Sequence, residues 1–214
     1  MIIAIDGPAG SGKTTVAKLL ADKLKISYLD TGATYRSLTL KALELGANLS
    51  DEDALEALID DLDLKMHDRF VYLDGNDVSA AIRDPRIDKN ISVVVSFAKV
   101  RSKMVQLQRR LSFDGDFVVE GRDITTVVFP NAKFKFYLDA DFELRIERRY
   151  KELKAKGINV PLDEVGEDLK KRDHADMNRA VGPLKLSEDA ICIDTTDLSI
   201  DEVIEKLAGY VNNG

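Results

Sequence analysis

The segment Gly7-Pro8-Ala9-Gly10-Ser11-Gly12-Lys13-Thr14 constrains this chain more than any other feature. It follows the apolar run Ile2 to Asp6, which predicts a strand, and it opens an amphipathic pattern from Thr14 to Leu24, which predicts a helix. Strand, glycine-rich turn of the form G-x-x-x-x-G-K-[ST], and helix together make a phosphate-binding loop. Consecutive backbone N–H groups point inward at a helix N-terminus, and the glycines let the backbone approach an anion closely. Gly7, Pro8, Ala9, Gly10, Ser11, Gly12, Lys13, Thr14 and Thr15 are therefore the candidate contacts to a nucleotide triphosphate. Lys13 would reach the β and γ phosphates, and the Thr14 hydroxyl could ligate Mg²⁺.

Four further short segments are rich in β-branched or aromatic residues: Ile26 to Asp30, Phe117 to Glu120, Phe134 to Asp139 and Ala190 to Asp194. Helical patterns lie between most of them, including Phe142 to Lys156 and Ser199 to Val211, where Ser199 and Glu202 have capping-box spacing. Nearly continuous apolar strands alternating with helices imply a five-stranded parallel sheet covered on both faces, a three-layer α/β fold. The stretch from Ala47 to Asn90 breaks the rhythm. An acidic helical run, Asp51 to Asp61, precedes two alternating segments, Phe70 to Leu73 and Val78 to Ile82, which read as a hairpin. From Arg145 to Arg179 the composition turns charged, with Gly157 and Pro161 between two helical patterns, as in a mobile, solvent-exposed flap. The expected organisation is one domain over 1–214, with a core of about 1–40, 91–144 and 180–214, an insertion of about 41–90 and a lid of about 145–179.

Bulk properties narrow the function. With 214 residues and 44% hydrophobic content, the chain can bury one substantial core. No apolar run approaches the roughly 20 residues needed to span a bilayer, and Met1 to Ile5 is too short for a signal core, so a cytoplasmic protein is expected. The net charge of -7 argues against a nucleic-acid partner, which would call for a basic face. Local arginines must then hold any anionic acceptor. The single cysteine, Cys192, excludes an internal disulfide, and its apolar surroundings suggest a small buried core residue. The two histidines, His67 and His174, offer no zinc-type spacing. No N-K-x-D guanine motif occurs, which separates the chain from GTPase switches.

Leu29-Asp30-Thr31-Gly32-Ala33-Thr34-Tyr35-Arg36 resembles the L-D-[ST]-G-A-x-Y-R signature of bacterial cytidylate kinases. Gly75 to Arg83 resembles the hairpin of that family's monophosphate-binding insertion, and Ser92 and Arg101 keep its S-x8-R spacing. Glu120-Gly121-Arg122-Asp123 with Thr126 to Pro130 is similar to its [DE]-G-R-D-x-x-T-V-V-F-P run. Arg172-Asp173, Asp176, Asn178-Arg179 and Pro183-Leu184 complete the pattern. Thr34 departs from it where a larger apolar residue is common, and Ala98 where proline often stands.

The resemblance implies a small α+β insertion, a helical lid, and transfer of the γ-phosphoryl group of ATP with Mg²⁺ to CMP or dCMP by a monomer. It implies Asp123 as acceptor of the cytosine 4-amino group, a donor that uracil lacks. Ser92 and Arg101 would serve the O2 and N3 edge, with the Thr31 hydroxyl near the base. Arg36 and Arg122 are candidates for the CMP phosphate, and Tyr35 for the pocket wall. Arg172, Asp176 and Arg179 stand at i, i+4 and i+7, which fits a salt-bridge row on a solvated helix face as well as contacts to ribose, base or phosphate. Arg145, Arg148 and Arg149 read equally as solvated helix charges or as lid arginines for the transferring group. Glu120 ends a strand where an acid could order Mg²⁺-bound water, or could simply be solvated; Asp6 reads the same way. Two alternatives to cytidylate transfer remain at this level: a kinase with another acceptor, such as UMP, AMP or a small metabolite, and a non-enzymatic nucleotide-binding switch.

Overall fold

The computed structural model describes residues 1–67 and 70–214. Its strands are β1 (Ile2–Asp6), β2 (Ser27–Asp30), β3 (Leu64–His67), β4 (Phe70–Leu73), β5 (Asn76–Asp77), β6 (Phe117–Gly121), β7 (Phe134–Asp139) and β8 (Ile191–Asp194). Its helices are α1 (Lys13–Leu24), α2 (Thr31–Glu44), α3 (Glu52–Asp60), α4 (Pro85–Val94), α5 (Ala98–Leu111), α6 (Phe142–Ala155), α7 (Leu162–Asn178) and α8 (Ile200–Asn213).

Five strands form the expected parallel sheet in the order β2-β6-β1-β7-β8. Alternation along β1 explains the layers. Ile3 and Ile5 pack with Phe136, Leu138, Val16, Leu20, Val203 and Leu207 under α1 and α8. Ala4 points the other way, to Val105 of α5 and to Ile124 and Val128. Each fully buried Ile or Leu here contributes about 2 kcal/mol of apolar transfer. A separate core joins α2, α3, α5 and the small sheet β3-β4-β5.

Helix starts follow the sequence closely. Asp30 caps α2 at the Ala33 N–H (3.0 Å), Asp84 caps α4 ahead of Pro85, and Ser199 with Glu202 forms the capping box of α8. By contrast, Gly12 precedes α1 with no side-chain cap, leaving its first N–H groups open for an anion.

Four expectations change. Val78 to Ile82 does not form a strand, because Asp77 accepts from both the Ser79 N–H (2.9 Å) and its hydroxyl (2.6 Å), curling the chain off the sheet. Ile82 is instead buried in a 3₁₀ turn, Ala81–Arg83, and the hairpin runs from β4 to the two-residue β5 through Asp74-Gly75, with β3 as an unforeseen third strand. Cys192 is exposed, since β8 is the outer strand and its inward position is taken by Ile193. The α6–α7 pair is no freely solvated flap: Ile146, Val165 and Leu169 bury a contact with Ala9. Finally, α7 ends at Asn178, so Arg179 lies beyond the helix in extended backbone.

Candidate active site

The parallel strands β1, β2 and β6 deliver their C-terminal ends to one edge, where a site can assemble between loops. After β1 the chain turns over Gly7, whose φ of 155° and position forbid a side chain: an added Cβ would lie 2.1 Å from the Leu138 carbonyl oxygen. Lys13 folds back to donate to the Pro8 carbonyl (2.8 Å) and is buried. Burial, and then the neighbouring Arg122, pull its ammonium down to about 7, against the opposing pull of Glu120. Ser11 Oγ is buried without a hydrogen-bond partner, an acceptor and donor waiting in the loop, while Thr14 and Thr15 are exposed.

Asp6, at the end of β1, orients the neighbouring loop. Its carboxylate accepts from the Ile124 N–H (2.8 Å), the Thr125 N–H (2.8 Å) and the Thr125 hydroxyl (2.6 Å). It is therefore a buried anchor of the Arg122-Asp123 segment rather than a free strand-end acid. Burial still raises its carboxyl above the ordinary value.

Glu120 is buried next to this anchor, accepting from the Tyr28 hydroxyl at 2.6 Å. Burial and the nearby Asp30 raise its carboxyl, while Lys13 and the hydroxyls of Tyr28 and Thr14 oppose. Asp30 is held low, because Arg83 at 2.6 Å overrides burial.

On the far side of β6, Asp123 meets Arg101 at 2.5 Å and Arg179 at 3.5 Å, and all three side chains are at most 10% exposed. Arg101 also stands over the Tyr35 ring, 5.5 Å from its centre, and burial pushes the Tyr35 hydroxyl up to about 12. Thr34, the departure in the second motif, donates to the Thr31 carbonyl (2.7 Å) and accepts from Gln108 (3.0 Å), so a hydroxyl is useful there. Arg122 Nε donates to Asp176 at 2.8 Å. Although burial opposes it, Arg122 and Arg172 hold the Asp176 carboxyl below the usual carboxylate range. Surrounding protein, and then Arg122, lower the Arg172 guanidinium to about 10, even though the residue stays exposed.

The remaining predicted residues are less convergent. Arg36 is buried and spends its two terminal nitrogens on the Ile82 carbonyl (3.1 Å) and Asp88 (2.5 Å). Thr31 donates its hydroxyl to the Glu120 carbonyl (2.7 Å). Ser92 is exposed on α4, and its side chain makes no hydrogen bond among the described residues.

Arg145 and Arg148 of α6 are not solvated helix charges, whereas Arg149 keeps an exposed helix pair. Arg145 is buried and donates to the Ala9 carbonyl (2.9 Å) and to Asp173 (2.5 Å), whose other oxygen accepts from the Ala9 N–H (3.2 Å). Arg148 grips Thr195 at its hydroxyl (3.1 Å) and carbonyl (3.0 Å), and Thr195 leans toward the Ser11 carbonyl. Arg149 pairs with Glu152 at 2.9 Å and faces Asp88 at 3.7 Å.

Several contributors escaped the sequence reading. Thr195, Tyr28 and Asp88 carry no motif spacing of their own, and Asp173, although it stands in the Arg172-Asp173 motif, was assigned no role. Gly182 did carry a signal, a glycine before Pro183. Its φ is +59°, and an added Cβ would stand 2.2 Å from Asp123 Oδ2.

A family model described as cytidylate kinase matches residues 3–213. A cytidylate kinase of Caldanaerobacter subterraneus subsp. tengcongensis is 49% identical over 96% of this chain and 92% of its own length. One from Clostridium perfringens is 44% identical over 98% of this chain and 96% of its own. A crystal structure of an uncharacterized protein from Eubacterium ventriosum shares the fold, with a TM-score of 0.56 at 16% identity, covering 100% of this chain and 99% of that one. A phosphate loop joined to an arginine-rich second pocket and a family match along nearly the whole chain lead to one assignment: the chain belongs to the cytidylate kinase family.

Proposed function

We propose that the chain transfers the γ-phosphoryl group of ATP to CMP or dCMP, giving ADP and CDP or dCDP. The observation that carries this reading is the meeting of two sites over one loop. Lys13 lies within electrostatic reach of Arg122, Arg172 and Asp176, and Asp176 in turn adjoins Arg179 and the Asp123–Arg101 pair. Family membership supports the same donor and acceptor.

In this reading a CMP phosphate oxygen attacks the γ phosphorus while its bond to the leaving ADP oxygen breaks. The attacking oxygen is already anionic, so no side chain need remove a proton. The chain supplies alignment and matching charge. Lys13 and the open N–H groups of α1 hold the donor, Arg36 and Arg122 the acceptor phosphate, and Asp123 with Arg101 the base. Arg172 and Asp176 face the ribose, and Arg179 completes the base pocket. The α6–α7 pair acts as the lid: Arg145 seats it on the loop, and on closure Arg148 and Arg149 turn toward the transferring group. The β3–β5 region with α3 and α4 forms the acceptor-binding insertion.

The oxygen donors near Lys13 fit Mg²⁺, with the Thr14 hydroxyl as ligand and Glu120 beside its water shell; bound with ATP, the ion would neutralise phosphate charge. Among the described residues no cluster of three or more His, Cys, Asp or Glu could hold a metal by itself, so the phosphates would complete the coordination. An exposed, unpaired Cys192 fits a reducing cytoplasm. Among the described residues no helix is long and apolar enough to cross a membrane.

A coupled ADP-release assay with CMP, dCMP, UMP and AMP tests the proposal. Turnover with the cytidine monophosphates well above the others is expected. Equal turnover with UMP or AMP would redirect it to another acceptor, and acceptor-independent behaviour would remove it.

A further inference from the structure

Most arginines around the cleft are matched by an acid or a carbonyl, and most of those acids already have work in the proposed reaction. Asp123 and Asp176 face the acceptor, and Asp173 seats α6 and α7. Asp88 is different: it lies in the first turn of α4, outside every motif, yet its two carboxylate oxygens reach two arginines from separate parts of the fold. Oδ1 meets Arg36 of α2 at 2.5 Å, and Oδ2 faces Arg149 of α6 at 3.7 Å. Arg172 of α7 also feels its charge. One anion between two guanidinium groups, with a third within electrostatic range, is the arrangement a phosphate requires.

We propose that Asp88 is an internal stand-in for the acceptor's phosphate, holding Arg36 and Arg149 across the cleft until an incoming phosphomonoester takes its place. This rests on the reading of Arg36 as a phosphate ligand.

Three features make Asp88 replaceable rather than permanent. Its side chain is 34% exposed, so a competing anion can approach from solvent, while Arg36 is only 9% exposed. The Ile82 carbonyl keeps Arg36 Nη1 at 3.1 Å, so losing Asp88 frees Nη2 without releasing the guanidinium. A phosphomonoester carries nearly two charges near neutral pH and three acceptor oxygens, against one charge and two oxygens for the carboxylate. A partly exposed ion pair is worth little, so the exchange favours the phosphate. The same swap lets the site sense the acceptor: Arg149 on α6 is released from α4 only when phosphate arrives.

The test compares wild type with Asp88→Asn, and with Asp88→Ser should the first fail to fold, measuring CMP and cytidine binding by titration calorimetry. Removing the internal competitor should tighten CMP about three- to fivefold, the worth of a partly exposed ion pair. Cytidine, which has no phosphate, should be unaffected. Unchanged or weaker CMP binding would overturn the proposal, as would an equal change for CMP and cytidine. Arg36→Ala separates the premise: a loss of CMP affinity of tenfold or so, without loss for cytidine, keeps it, and no loss removes both the premise and the proposal.

Discussion

Asp173 of α7 binds Arg145 of α6 at 2.5 Å with one oxygen and accepts the Ala9 N–H of the phosphate loop at 3.2 Å with the other. A single buried carboxylate thus fastens both helices of the proposed lid to the loop that holds the donor. Breaking a buried ion pair on one side costs about 3 kcal/mol or more, since a charge is left without a partner. Asp173→Ala should therefore loosen α6 and α7 and misplace Ala9. The expected results are faster proteolysis of the linker at 156–161 and a KM for ATP raised roughly tenfold, with the affinity for CMP less affected.

Asp123 carries the prediction about base choice. Its pairing with Arg101 at 2.5 Å fixes it as an acceptor, suited to an amino group and opposed to a carbonyl. Asp123→Asn should reduce the ratio of kcat/KM for CMP over UMP by about 10- to 100-fold, corresponding to 1–3 kcal/mol for a hydrogen-bonded base edge. An unchanged ratio would assign base recognition to other residues.

Gly182 packs against that same pair. At φ +59°, with an added Cβ only 2.2 Å from Asp123 Oδ2 and 2.7 Å from Arg101 Nη2, Gly182→Ala must displace the pair and strain the backbone. We expect a loss of about 1–3 kcal/mol in stability. The kcat/KM for CMP should fall while the KM for ATP holds. Gly157→Ala is the control: its φ is +75°, but nothing lies within 4 Å of the added atom, so it should cost about 1 kcal/mol and leave acceptor selectivity intact.

The sheet and the phosphate loop were legible because local pattern and tertiary role coincide there: Ile3, Ile5 and Phe136 are apolar, in strands and buried. Legibility failed where a side chain competed with the ladder, as Ser79 and Asp77 do, and at the sheet edge, where an apolar neighbourhood in sequence left Cys192 outside. Within the candidate site, motif residues such as Asp123 and Arg101 were reached through the resemblance to the cytidylate kinase signature. Their supporting contacts were not: Asp173, named in a motif but given no role, and Thr195 and Asp88 act through partners 164, 184 and 52 residues away along the chain, which no local period encodes.

Lys13 provides a prediction about protons. Burial and Arg122 bring its ammonium from 10.5 down to about 7 in the folded protein. Between these two values the unfolded chain holds a proton that the folded one has released, so stability without ligand should rise with pH across that window. A triphosphate beside Lys13 reverses the balance by restoring an anion to the charged form, so binding of ATP must be accompanied by proton uptake above the free-protein value. Affinity for ATP should accordingly fall as pH rises above about 7. Calorimetry in buffers of different ionisation enthalpy at about pH 8.5, where the nucleotide itself no longer titrates, should detect uptake approaching one proton per ATP. Lys13→Met should bind more weakly and show no uptake. Equal uptake in both proteins would mean that the proton belongs to another group, with Glu120, whose carboxyl burial raises, the first to test by Glu120→Gln.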